Sequence, residues 1–167
     1  MVVKVYLDSC IFLAYYYEKG SSNYSQVEKC LKLHEKNQKI FSFVTSDFTF
    51  TEFVKVATSP KNIPHGTIFE DLSTITRTTK IGGLYPFDII EVEGKRKGYH
   101  FNDFFVDLQS VLMNVRPGLA DTMHYQIMTN NNVTRILTFN TRDFEKIDGI
   151  EAIHPGQIEE HFKKIKS

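Results

Sequence analysis

Val2-Val3-Lys4-Val5-Tyr6-Leu7-Asp8-Ser9-Cys10-Ile11-Phe12-Leu13 is the segment on which the reading of the whole chain turns. Five of the six residues before Asp8 are β-branched, aromatic or aliphatic, the composition of a strand buried on both faces. A carboxylate then falls where that strand stops and a helix-like run, Ile11 to Tyr17, begins. In an open α/β sheet, groups at the carboxyl ends of the strands face the crevice where ligands bind. Asp8 therefore has two readings at this point: a ligand-bearing acid on a sheet edge, or no more than the cap of the helix after it.

The composition narrows the class. With 167 residues and 41% hydrophobic content, the chain is read as one soluble globular domain with a normal core. Twenty basic residues balance twenty acidic ones for a formal net charge of +0, which argues against whole-surface attraction to nucleic acid but permits an acidic centre with a basic rim. No apolar run is long enough to span a bilayer, and no cationic segment precedes an apolar stretch with a small-residue cleavage site. Cys10 and Cys30 are too few for a disulfide scaffold. The expectation is a cytoplasmic protein with reduced thiols and no membrane contact.

Strand and helix signals alternate along the chain. Ser22 or Asn23 is expected to cap a helix carrying Tyr24, Val27, Leu31 and His34 on one side, with Cys30 as core filling. Ile40 to Thr45 reads as the second strand, Ser46-Asp47 as caps, and Phe48 to Thr58 as a helix with Glu52 on its second turn. Glu52 alone reads as well as a solvated surface acid. A weaker helix follows from Thr67 to Thr79, then a loop over Ile81 to Pro86 and a short strand from Phe87 to Val92. Glu93-Gly94-Lys95-Arg96-Lys97-Gly98 is the sharpest charge feature, read as a solvated turn or hairpin tip, or as a phosphate-contacting loop. Phe101 to Val115 is a patterned helix whose Asn102, Asp103 and Asp107 suit its dipole. A further helix runs from Gly118 to about Thr129, a strand from Arg135 to Phe139, and a last strand from Ile150 to Ile153. Residues 1–155 form the expected domain, and residues 156–167 a helical, basic C-terminal tail.

This alternation predicts an α/β fold, a three-layer αβα arrangement with a central parallel sheet. Asp8 and the Asn140/Asp143 pair follow strands, while Glu52 and Asp121 sit on early turns of helices. Strand C-termini and helix N-termini share one sheet edge in a right-handed βαβ architecture. Acids meeting there repel unless cations neutralise them, and hard oxygen donors of this kind suit Mg²⁺ or Mn²⁺.

Val5-Tyr6-Leu7-Asp8-Ser9, Glu52 after the second strand, Ala120-Asp121, and Leu137-Thr138-Phe139-Asn140-Thr141-Arg142-Asp143-Phe144 together resemble the PIN domain family. The resemblance spans roughly residues 3 to 155, and its last segment is the most specific. It implies a metal-dependent ribonuclease of the VapC-like toxin type, hydrolysing RNA phosphodiester bonds with Mg²⁺ or Mn²⁺, with a cognate antitoxin and a homodimer as expected partners. Asp8, Glu52, Asp121 and Asp143 match the family's acidic, metal-holding and catalytic positions. Asn140 stands where many members carry Asp, and Ser9 matches the small hydroxyl residue after the first acid; both are expected to orient groups around the site. Lys95, Arg96 and Lys97 match no family motif and are read as an RNA contact.

Three other chemistries compete. An aspartyl-phosphate hydrolase wants a second Asp two residues after Asp8, where this chain has Cys10. Cys10 as a phosphatase nucleophile lacks the Arg that a short phosphate cradle requires. A PIN-like module that binds RNA or assembles with partners without cleaving is the stronger alternative, motivated by Asn140. The six histidines show no paired ligand spacing and read as surface or capping residues. Only His124, one turn after Asp121, falls near the expected site.

Overall fold

The structure, a computed structural model, describes residues 2–59, 61–78, 82–84, 89–92, 95–98 and 118–166. The N-terminal segment forms strand β1 (Val3–Leu7), with Val5, Tyr6 and Leu7 almost wholly buried. Burial on both faces is what its unbroken apolar run requires, because a strand in the middle of a parallel sheet is covered by helices above and below. β1 lies at the centre of a five-stranded sheet of order β3-β2-β1-β6-β7, whose partners are β2 (Phe41–Ser46), β3 (Gly82–Leu84), β6 (Arg135–Leu137) and β7 (Glu151–Ile153). Every pairing in that sheet is parallel. The expected three-layer α/β architecture is therefore the observed one.

Helices lie between the strands and, in the case of α7, after β7: α1 (Ser9–Tyr17), α2 (Ser22–Lys36), α3 (Asp47–Thr58), α4 (His65–Thr78), α5 (Leu119–Asn130), the single turn α6 (Thr141–Phe144) and α7 (Ile158–Lys166). Two clusters divide the core. The larger joins Val5, Leu7, Phe12, Val27, Cys30, Phe41, Phe43 and Phe53, and the smaller joins Tyr6, Val44, Ile127, Met128, Ile136 and Phe144. Tyr6 and Val44 face the second cluster while Val5, Leu7 and Phe43 face the first, the alternation that a strand's side-chain period imposes. Cys30 fills core as expected, and the tail helix docks on the larger cluster through Ile158, with Phe162 against Phe41.

Several local expectations shift. The cap of α2 is Ser21, whose side chain accepts from Tyr24 N–H at 3.0 Å; a cap must precede the first helical residue, so it falls one position earlier than Ser22. Gly82–Leu84, read as loop, pairs with β2 from Val44 to Ser46. The glycines carry no strand signal of their own, and the pairing with a neighbouring buried strand decides the matter. Ile89–Val92 and Lys95–Gly98 are the two strands of an antiparallel hairpin, β4 and β5. The basic triplet Lys95, Arg96 and Lys97 is thus part of a strand rather than of the turn. The helix expected over residues 101–115 lies outside the described residues.

His34 is the clear correction among the histidines. It is 6% exposed, stacks on Phe43 with ring centroids 4.5 Å apart, and accepts Phe43 N–H at Nε2 over 3.2 Å. Its place on the apolar face of α2 turns it into a core acceptor, and burial pushes its pKa down. His154 does cap, accepting from Gly156 N–H at 3.1 Å.

Candidate metal centre

Asp8 leaves β1 at its carboxyl end, where parallel pairing with β6 holds the backbone: Asp8 N–H donates to Leu137 C=O at 3.2 Å. Although Asp8 stands at the cap position of α1, its side chain makes no capping hydrogen bond. The carboxylate turns instead into a buried pocket of donors. Thr138 Oγ1 donates to Oδ2 at 2.6 Å, Cys10 Sγ to the same oxygen at 3.2 Å, and Ser9 Oγ to Oδ1 at 3.2 Å. Of the two readings of Asp8, the helix cap is not the one realised.

Glu52 reaches the same place from the second turn of α3. That helix starts where β2 ends, with Ser46 Oγ accepting Thr49 N–H as its cap. Glu52 is half-buried rather than solvated, and its Oε2 lies 2.6 Å from His124 Nε2. His124, 1% exposed, also approaches Asp8 Oδ1 at 3.9 Å. Asp8, Glu52 and His124 each offer a ligand atom within 4.8 Å of the other two, and among the described residues this is the group able to share one cation.

Asp121 sits in the first turn of α5 beside this group. Burial raises its carboxyl pKa, and the negative charges of Asp143, Asp8 and Glu52 push the same way, with His124 opposing. Desolvation is the larger cause, and the neighbouring acids add to it. No lysine or arginine among the described residues forms an ion pair with Asp8, Glu52 or Asp121. Asp143 is exposed on α6 and, like Asp121, stays outside the three-residue group. The donor set fits a divalent cation: two carboxylates and one imidazole converge, with a third carboxylate close enough to be felt.

The supporting shell departs from expectation. Asn140 is exposed, and its link to the site is its backbone, N–H donating to Thr138 Oγ1 at 3.0 Å. Ser9 touches Asp8 through its hydroxyl. Thr138, Cys10 and Tyr6 complete the support around Asp8 and His124. Tyr6 OH lies 2.9 Å from His124 Nδ1 and 2.8 Å from Thr49 Oγ1, and also meets Ser46 Oγ. Burial raises the Tyr6 pKa, so the phenol keeps its proton. Thr138 is legible in hindsight as a hydroxyl at the end of a buried strand, but Tyr6 reads only as core.

The all-parallel sheet flanked by helices is a PIN-like fold. A chain in the crystal structure of VapBC2 from Rickettsia felis, bound to a DNA fragment from their promoter, matches with a TM-score of 0.64 over 91% of this chain and 98% of that one, at 13% identity. A chain in a toxin–antitoxin complex from Klebsiella pneumoniae matches with a TM-score of 0.55 over 90% of this chain and 97% of that one, also at 13% identity. No family model and no curated protein matches the sequence. No helix among the described residues is long and apolar enough to cross a membrane.

Proposed function

We propose that this chain is a divalent-metal-dependent endoribonuclease and serves as the toxin of a VapBC-type pair, with an antitoxin as its protein partner. The observation that carries the reading is the convergence of Asp8 and Glu52 at the carboxyl edge of β1, in a fold shared with chains of toxin–antitoxin complexes. Asp8 and Glu52 hold the cation, Mg²⁺ or Mn²⁺, and Asp121 and Asp143 complete the site directly or through water.

A cation bound there supplies an activated water and the positive charge that offsets charge building on the scissile phosphate. The protein's own part is placement. Thr138, Ser9 and Cys10 fix both oxygens of Asp8. Cys10, whose thiol burial holds well above its usual pKa, and Ser9 are both donors to Asp8. That use of both groups supports hydrolysis without a covalent protein intermediate. The basic strand Lys95–Gly98 is the segment assigned to the RNA backbone.

The test is cleavage of RNA by the purified protein with Mg²⁺ or Mn²⁺, compared with Asp8→Asn. Loss of cleavage in the folded variant and on chelation is expected. Cleavage by Asp8→Asn at the unmodified rate would overturn the assignment.

A further inference from the structure

We infer that His124 is itself a metal ligand, so that the centre is an Asp8–Glu52–His124 set taking a first-row transition-metal dication in preference to Mg²⁺. This rests on the metal-dependent reading above and makes it specific. His124 is 1% exposed, and its ring is fixed from every side. Phe48 meets it edge-on with centroids 5.0 Å apart and Tyr6 at 5.4 Å. So held, Nε2 points between Glu52 Oε2 at 2.6 Å and Asp8 Oδ1 at 3.9 Å. Neighbouring ligands around a cation at about 2.1 Å lie about 3 Å apart, so these two separations bracket the spacing that coordination requires.

The other ring nitrogen supplies an independent argument. A histidine that binds a metal through one nitrogen donates the N–H of the other to a fixed acceptor, which sets the tautomer. Nδ1 lies 2.9 Å from Tyr6 OH, a buried hydroxyl that also meets Ser46 and Thr49 and is therefore free to accept from Nδ1 while donating onward to Thr49. With its hydrogen on Nδ1, the neutral ring presents a bare Nε2 lone pair to the two carboxylates, an arrangement that repels unless a cation sits between them. Mg²⁺ favours all-oxygen sites with retained water, whereas an imidazole nitrogen shifts preference toward transition metals. Tyr6 is then a positioning residue for the metal, acting through His124.

The experiment uses Mn²⁺ as the probe on the intact protein. Pulsed electron paramagnetic resonance should show a directly bound histidine nitrogen, and calorimetry should give Mn²⁺ an affinity at least about tenfold above Mg²⁺. His124→Asn, which keeps a polar atom near Tyr6 but cannot reach the acids, should abolish the nitrogen coupling and narrow the Mn²⁺ preference by about tenfold or more. Tyr6→Phe should weaken Mn²⁺ binding by about tenfold. Mn²⁺ that binds in an Asp8-dependent way without nitrogen coupling would overturn the role of His124 and leave the nuclease reading standing. Absence of both Asp8-dependent binding and RNA cleavage would overturn both. The spectrum of the unmodified protein decides the point even if a variant fails to fold.

Discussion

Thr138 and Asp8 are 130 residues apart in sequence and are joined by a 2.6 Å hydrogen bond from the threonine hydroxyl to Oδ2 of the aspartate. Thr138 is fully buried and simultaneously accepts Asn140 N–H. Removing the hydroxyl with Thr138→Val strands a backbone donor and takes a charge-assisted bond from the carboxylate. A loss of about 2 kcal/mol in urea unfolding is expected, with divalent-ion affinity falling about tenfold or more. Thr138→Ser should recover most of both. An unchanged affinity in the valine variant would show that Asp8 needs no such support.

Gly118 gives a way to move Asp121 without altering its charge. A Cβ at this position would lie 2.7 Å from Asp121 Oδ2, while the backbone there, with φ of −61°, suits any residue. Gly118→Ala should therefore fold at a cost of about 1 kcal/mol, that of a poorer helix cap, while pushing the carboxylate aside. Calorimetry should show weaker divalent-ion binding and a cleavage assay slower turnover. Wild-type values for both would remove Asp121 from the centre.

Both cysteines should be slow toward thiol reagents. Burial pushes the Cys30 thiol up to about 12 and the Cys10 thiol well above its ordinary value, with the Asp8 charge adding to the second. The thiolate is the reactive form, so at pH near 8 little of it is present in the folded protein. Ellman's reagent should titrate two thiols only after denaturation, and rapid native labelling of Cys10 would contradict its place against Asp8.

His34 ties stability to pH. Its folded pKa lies below the unfolded value of 6.5, because burial disfavours the charged ring. The neutral ring's contribution is thus present above 6.5 and is lost as pH falls through the lower folded value. Protonation would also leave Phe43 N–H without its acceptor, at about 1–3 kcal/mol. The urea midpoint of the native protein should drop more between about pH 7 and about pH 5 than that of His34→Gln, whose side chain does not titrate. Parallel profiles would remove His34 as the cause.

The sheet and its acidic edge were readable because they depend on local signals. Unbroken apolar runs marked β1 and β2, and a carboxylate followed β1 at a position fixed by the strand's end. What escaped was set by tertiary packing. Gly82–Leu84 is a strand because β2 offers it a ladder, not because its residues favour one. His34 and His124 look alike in sequence, each on a helix with apolar neighbours. One meets a backbone N–H and the other meets two carboxylates, a difference made by residues 9 and 72 positions away. Tyr6 could not be told from core by composition, since its ring is core and only its hydroxyl is part of the centre's support.

The placement of β1 has a consequence for synthesis. β1 is made before both of its neighbours, β2 on one side and β6 on the other, the latter through Tyr6 with Ile136 and Leu7 with Leu137. A growing chain can therefore pair β1 on one edge early, but its second edge waits until residues 135–137 have left the ribosome. Asp8 takes its backbone anchor from Leu137 and its hydroxyl donor from Thr138, both in that late segment. Translation order thus keeps Asp8 unanchored until Leu137 and Thr138 have been made, and a fragment released before them carries the motif without the centre.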